Sequence, residues 1–183
     1  MVIYIALLRG INVGRHNRMS MTALKGVLEE SGLRSVQTYI QSGNIVFEAD
    51  ETEDKAALQL RMEESIHAAF GFSIPVVLRT AEEFDRIIRS CPYPVDMLPE
   101  VEGVHISYLV EAPKQEKIQA LRDCKNGEDE FHVSRHEVYL LIRKGLRDSK
   151  LAVNLQKLGV AGTLRNWNTI TKLDQMAKAL ISR

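Results

Sequence analysis

Residues 2–9 read VIYIALLR, with apolar side chains at odd and even positions alike before the closing arginine. Successive strand residues face opposite sides, so a run that is apolar at both parities marks a central strand covered on both faces. What surrounds this strand sets the fold. A loop, GINVGRHNR at 10–18, leads to Ser20, a good N-cap. Met21, Leu24, Val27 and Leu28 then recur at helical spacing until Gly32. β-rich runs at 35–41 and 44–49 flank Ser42-Gly43, which reads as a tight hairpin. Leu58, Met62, Ile66, Ala69 and Phe70 share one face of a second helix, and Asp50 with Glu53 fits a capping box for it. SIPVVLR at 73–79 is a further strand, which Pro75 places at a sheet edge or at the strand's start. The order β-α-β-β-α-β is that of the ferredoxin-like unit.

The rest of the chain nearly repeats it. A helix near 81–90 precedes a proline-rich connector, CPYPVDMLPEVEG at 91–103. A strand at 104–110, a helix opened by Pro113 and a hairpin at 130–143 turning near Ser134-Arg135 follow. Asp148 or Ser149 caps a helix that ends at Gly159, and Ile170, Leu173, Met176, Ala177 and Leu180 line a last helix near 169–181. The second half therefore reads β-α-β-β-α-α. The expected fold is α+β: two ferredoxin-like subdomains (βαββαβ and βαββαα) at 1–90 and 104–183, joined by the connector 91–103. They are expected to pack against each other, because 2–8 and 138–142 are both apolar at both parities.

Composition narrows the function classes. The chain has 183 residues, 45% of them hydrophobic and 26% charged, which excludes a disordered tail, a collagen-like rod and a coiled coil. With 24 basic and 24 acidic side chains it is not a generally basic nucleic-acid binder, although local patches remain open. Charge is segregated along the chain. Residues 1–47 carry five basic and two acidic side chains, residues 48–134 nine and nineteen, and residues 135–183 ten and three. Cys91 and Cys124 lack a CxxC spacing, which points to a reducing compartment and away from a disulfide framework or a zinc knuckle. No apolar run approaches the ~20 residues of a membrane helix. Residues 1–14 lack the basic start and cleavage site of a signal peptide. A cytoplasmic protein without a membrane partner is expected.

Three stretches carry candidate chemistry. The first is Arg9-Gly10-Ile11-Asn12-Val13-Gly14-Arg15-His16-Asn17-Arg18, which leaves a central strand for a helix N-terminus. Its glycines allow close backbone approach, its N–H groups can form an anion nest, and its arginines and asparagines add donors. It is neither a Walker loop nor a dinucleotide fingerprint. The second is Thr163-Leu164-Arg165-Asn166-Trp167-Asn168-Thr169, before the last helix. Asn168 or Thr169 would cap that helix, Arg165 would stand near its positive end, and Trp167 would stack on a ring or anchor the loop. The third is the hairpin tip Gln41-Ser42-Gly43-Asn44, whose amides exceed what a turn requires. Each has a bland counterpart: a connection, a capping loop and a turn. The ligand-binding set is Arg9, Gly10, Asn12, Gly14, Gln41, Ser42, Asn44, Arg165, Asn166, Trp167, Asn168 and Thr169.

No residue is assigned a catalytic role, and no cofactor is expected. His132 and His136 are four apart across a turn with no third ligand in view, so no metal is assigned. The two cysteines read as structural, and Glu29-Glu30 and Glu82-Glu83 as solvated helix faces.

LLRGINVG near the start, TYIQSGNIVF after the first helix and TLRNWNT near the end resemble the family named domain of unknown function 1697. The resemblance spans essentially the whole chain. Members usually carry a second glycine after NVG, where this chain has Arg15. The resemblance implies a small bacterial-type cytoplasmic α+β protein with two ferredoxin-like subdomains, and it implies no activity.

From the residues themselves, the first functional reading is a pocket between the subdomains for an anion, a nucleotide or another phosphorylated small molecule. Arg9, Asn12, Gln41, Asn44, Arg165, Asn166 and Asn168 would converge there. Arginine grips phosphate bidentately, and any reaction would run on positioning and charge stabilisation. The alternatives are single-stranded RNA or DNA binding and an interaction scaffold without a ligand. Residues 3–8 and 43–47 echo RNA-recognition strands, but aromatics are lacking at Asn44 and Val46.

Overall fold

A computed structural model describes residues 1–98 and 103–182. These residues form two four-stranded antiparallel sheets and six α-helices, an α+β architecture. The chain divides into two compact units, Met1–Arg86 with Thr171–Arg183, and Ile87–Ile170. The first half of the expected connector lies in the second unit and holds a short 3-10 turn, Val95–Met97. Its residues 99–102 lie outside the described residues.

In the first unit the elements are β1 (Val2–Leu8), α1 (Met21–Glu30), β2 (Arg34–Tyr39), β3 (Asn44–Ala49), α2 (Lys55–Phe70) and β4 (Val76–Thr80). The sheet order is β2-β3-β1-β4. Central β1 pairs with β3 from Val2↔Ala49 to Leu7↔Asn44, and with β4 from Tyr4↔Thr80 to Leu8↔Val76. Tyr4, Ala6 and Leu8 join a core with Leu24, Leu28, Phe47, Leu58, Met62 and Ile66. Ile5 and Leu7 take the opposite face and are also fully buried, so both parities of the run are used.

The helix ends show which local rules prevailed. Ser20 Oγ accepts the Ala23 N–H at 3.2 Å, as its place before α1 predicts. For α2 the cap is Asp54, not Asp50. Its Oδ2 accepts the N–H groups of Ala56 and Ala57 at 3.0 and 3.1 Å. Asp50 instead accepts the Thr52 N–H and O–H, turning the chain out of β3 before a helix can begin. Thr80 and Glu83 form a reciprocal capping box, 3.1 and 2.9 Å, that starts α3 (Ala81–Arg89) directly from β4.

The second unit contains β5 (Gly103–Leu109), α4 (Gln115–Arg122), β6 (Glu130–Ser134), β7 (Glu137–Ile142), α5 (Lys150–Asn154), β8 (Gly162–Asn166) and the start of α6 (Trp167–Ile181). Its sheet order, β6-β7-β5-β8, is the order of the first unit. The registers correspond as well. Ile5↔Arg79 and Leu7↔Asn44 in one sheet match Ile106↔Arg165 and Tyr108↔Glu137 in the other.

The expected order βαββαα is corrected here, because residues 162–166 are a strand rather than a loop. The strand hides from its sequence for a physical reason. Leu164 faces the unit's apolar core but is only half-buried, while the polar Thr163 and Arg165, on the opposite face of the strand, are 5% and 8% exposed. Gly162 looks like loop composition, yet a Cβ there would meet Leu109 Cδ2 at 2.6 Å. The expected caps of the last helix also shift. Asn166 Oδ1 accepts the Thr169 N–H at 2.8 Å, so α6 starts at Trp167. Among the described residues no helix is long and apolar enough to cross a membrane.

Burial holds the half-buried His105 of β5 below its ordinary pKa of 6.5. A base with a depressed folded pKa takes up protons more readily when unfolded. Stability is therefore full above the unfolded value and falls as pH drops toward the folded one. Urea unfolding followed from about pH 7 to about pH 5 should show this loss, and His105→Gln should reduce the slope. An identical slope in the variant would assign the loss to other groups.

Candidate functional site

The end of β1 is gripped from both sides: Leu8 N–H donates to Gly43 O at 2.8 Å and Arg9 N–H to Pro75 O at 3.1 Å. The chain then folds residues 9–20 into a small structure of its own. Val13-Gly14-Arg15-His16 is a tight turn closed by His16 N–H to Val13 O at 3.1 Å, with Asn12 N–H to Asn17 O at 3.2 Å beneath it. Asn12 and Asn17 both have positive φ, 53° and 47°, a region that asparagine tolerates better than other side chains.

Their amides fasten the loop. Asn17 Nδ2 donates to Gly10 O at 3.0 Å. Asn12 Nδ2 donates to Met19 O at 3.1 Å and to Gln41 O at 2.9 Å, and its Oδ1 accepts the Met19 N–H at 3.0 Å. Ile11 and Met19 sink into the core while Arg9, Gly10, Val13–His16, Arg18 and Ser20 stay exposed. Asn12 thereby ties the loop to the hairpin tip.

That tip is a four-residue turn, Ile40–Gly43, so Gln41 belongs to the turn and not to a strand. Gly43 has φ +74°, and a Cβ there would lie 2.6 Å from Leu8 Cβ and 2.8 Å from Ile11 Cδ1. Asn44 is fully buried, and its Nδ2 donates to Tyr39 O at 3.0 Å and Ser42 Oγ at 2.8 Å. Loop and tip together border an open cavity of about 580 Å3 lined by Asn12, Gly14, Arg18, Met19, Ser20 and Gln41. Of the set named from sequence in this unit, Asn12, Gly14 and Gln41 reach the cavity wall. Arg18 and Ser20, which that set leaves out, line the cavity too, and the N-cap position of Ser20 was the sequence signal that could have placed them there.

The electrostatics of this corner are one-sided. No acidic side chain occurs before Glu29, and the first turn of α1 holds none. Among the described residues Arg9, Arg15 and Arg18 make no ion pair. The positive end of the α1 dipole adds to them at Ser20.

Arg165 to Thr169 belong to the second unit, at the end of β8 and the start of α6. Arg165 Nη1 donates to Thr163 Oγ1 at 2.6 Å and to Leu164 O at 2.9 Å. Burial lowers its pKa to about 10, opposed by Tyr108. Asn166 is the helix cap, Trp167 is half-buried, Asn168 is exposed and Thr169 is buried in the first turn. His132 packs against Tyr139 with ring centroids 6.3 Å apart. Among the described residues no group of three or more His, Cys, Asp or Glu side chains is placed to hold a metal ion.

A family described as Protein of unknown function (DUF1697) matches residues 1–139, a span that includes the whole first-unit corner. The chain belongs to this family. The matched span of this DUF1697 protein ends before Thr163–Thr169. No curated protein matches the chain. Among solved structures, "The structure of conserved bacterial protein SP0830 from Streptococcus pneumoniae" is similar at 22% identity and a TM-score of 0.75. The similarity covers 96% of this chain and 98% of that one, a likeness of fold. An unknown protein from Galdieria sulphuraria aligns over 90% of this chain and 96% of its own at 13% identity, with a TM-score of 0.26.

The tip geometry of this DUF1697 protein makes Gly43 the most sensitive backbone position of the corner. Gly43→Ala combines a strained positive φ with overpacking against Leu8 and Ile11, and should cost about 2–4 kcal/mol of stability in urea unfolding. A loss below about 1 kcal/mol would mean that the tip relaxes away from Leu8.

Proposed function

We propose that the first unit binds an anionic small molecule, a nucleotide or another phosphorylated compound, in the cavity between the 9–20 loop and the 40–43 turn. We also infer that both units are ferredoxin-like, the first strand of each lying centrally between its third and fourth.

The observation that carries the functional reading is where the two units differ. Their sheets share order and register, yet the first strand-to-helix connection is residues 9–20 in one and 110–114 in the other. The hairpin turn is 40–43 against 135–136. Both enlargements fall at one end of the first sheet, and Asn12 bonds one to the other. A frame that folds with short connections has no structural need of the long ones, and long loops on a rigid frame are where binding residues concentrate.

The chemistry follows from the donors. Arg18 offers a forked charge, Gln41 an amide, and Ser20 a hydroxyl at the positive end of α1, with Arg9 and Arg15 supplying further charge nearby. This set favours a compact anion. A strand surface for single-stranded nucleic acid is less well supported, because Ile5, Leu7 and Val46 are fully buried and leave that face closed to bases. No catalytic group is assigned.

Calorimetric titration with pyrophosphate and with adenosine monophosphate tests the reading. Arg18→Ala should weaken binding by about 1.5–3 kcal/mol, the range for a hydrogen bond to a charged group. The melting temperature should hold, since Arg18 is exposed and makes no ion pair among the described residues. Absence of saturable binding of either compound, or equal binding by Arg18→Ala, would refute it.

A further inference from the structure

We propose that the second unit carries a docking groove for an acidic, leucine-bearing segment of a partner protein, where the end of α4 meets the connection from β7 to α5. A cavity of about 410 Å3 opens there, and Lys125, Arg147, Lys150, Cys124 and Val153 contribute to its wall. Lys125, Arg147 and Lys150 are exposed and make no ion pair among the described residues. Their neighbours differ: Arg143 is paired with Glu130 and Lys144 with Glu128. Hydrocarbon is exposed beside these cations, with Val153 at 65% and Leu146 at 40%.

The neutral polar groups of the wall are already engaged. Ser149 Oγ donates to Asp129 at 2.6 Å and accepts the Ala152 N–H at 3.0 Å. Asn154 Nδ2 donates to Asn126 at 2.9 Å. What the groove presents outward is three cations, one carboxylate from Asp148, and apolar surface.

The corresponding connection of the first unit, residues 50–54, shows what the frame itself requires. It is shorter, has no apolar residue, and each of its four carboxylates has a partner: Asp50 on Thr52, Glu51 near the Met1 amino group, Glu53 on Arg61 and Asp54 on the start of α2. In the second unit residues 143–149 are longer, raise Leu146 into solvent, and leave Arg147 with Lys150 beyond it unpaired among the described residues. Exposed apolar surface whose rim carries three cations against one carboxylate is complementary to a peptide of opposite charge that brings its own apolar side chains. Nucleic acid fits less well, because no aromatic side chain lines the groove for bases to stack on.

The probe is a fluorescein-labelled octapeptide of alternating Glu and Leu, read by anisotropy against the full-length protein. Control peptides carry Lys for Glu or Ser for Leu, and oligouridine serves as the polyanion control. The Glu/Leu peptide should bind best. Arg147→Glu with Lys150→Glu should weaken it about tenfold or more, and raising salt from about 50 to about 300 mM should weaken it further. Val153→Ser should weaken it several-fold without changing the salt dependence. Should the charge-reversed variant fail to fold, Val153→Ser and the salt titration decide the matter. The proposal is overturned if the Glu/Leu peptide does not saturate, if it binds the variants unchanged, or if the Ser-containing peptide or oligouridine binds as tightly. All of these measurements are made in the Arg18→Ala background, so that anion binding at the first-unit cavity does not enter the readouts.

Discussion

A strand that is apolar on both faces has only one comfortable place, the middle of a sheet with cover on each side. β1 is such a strand, and from Tyr4 to Leu8 every residue is buried. Its neighbours, β3 and β4, then have to supply both hydrogen-bond ladders, and its Tyr4, Ala6 and Leu8 need α1 and α2 above them. Full burial of each large aliphatic or aromatic side chain is worth about 1.5–3 kcal/mol, so the few that meet on this strand outweigh any local preference of the loops around it. The loops adapt to the strand. Asp50 gives up a capping role to turn the chain, and Asp54 takes it.

The same constraint fixes the candidate site. Because β1 ends in hydrogen bonds to Gly43 and Pro75, whatever follows it emerges beside the hairpin tip. The long loop is then held by two asparagines with positive φ whose amides bond backbone groups of the loop itself and of the tip. Asparagines that look like ligand donors in the sequence therefore act largely as fasteners. The charged groups left facing outward are the arginines, which have no acidic neighbour in the first 28 residues.

The second unit shows the frame used with other side chains. Arg165 occupies the position in β8 that Arg79 occupies in β4, each opposite an isoleucine of the central strand, and each donates to the carbonyl of the residue before it. Both are buried. A guanidinium held this way loses water and gains fixed carbonyl partners, and for Arg165 the cost of desolvation appears as a lowered pKa. The polar Thr163 and Arg165 buried on one face, with the core-facing Leu164 only half-buried on the other, explain why the 163–166 segment does not read as a strand.

The sequence by itself determined the elements whose burial follows periodicity. The doubly apolar β1 and β7, the Ser20 cap, the first-half order β-α-β-β-α-β and the stripe of α2 follow from spacing, because burial there goes with apolar character: Leu58, Met62 and Ile66 are buried as expected, while Ala69 of the expected stripe stays exposed. The long loop was legible as unusual from its glycines, asparagines and arginines. Only the tertiary structure decided which of those side chains are spent on backbone and which face the cavity, since Asn12 and Asn44 have the same chemistry bonded to a carbonyl or to a ligand. It also decided that residues 162–166 form β8, and that Arg18 and Ser20 join Gln41 on one wall. Strand pairing and loop closure join residues far apart in the chain, and no local pattern records the partner.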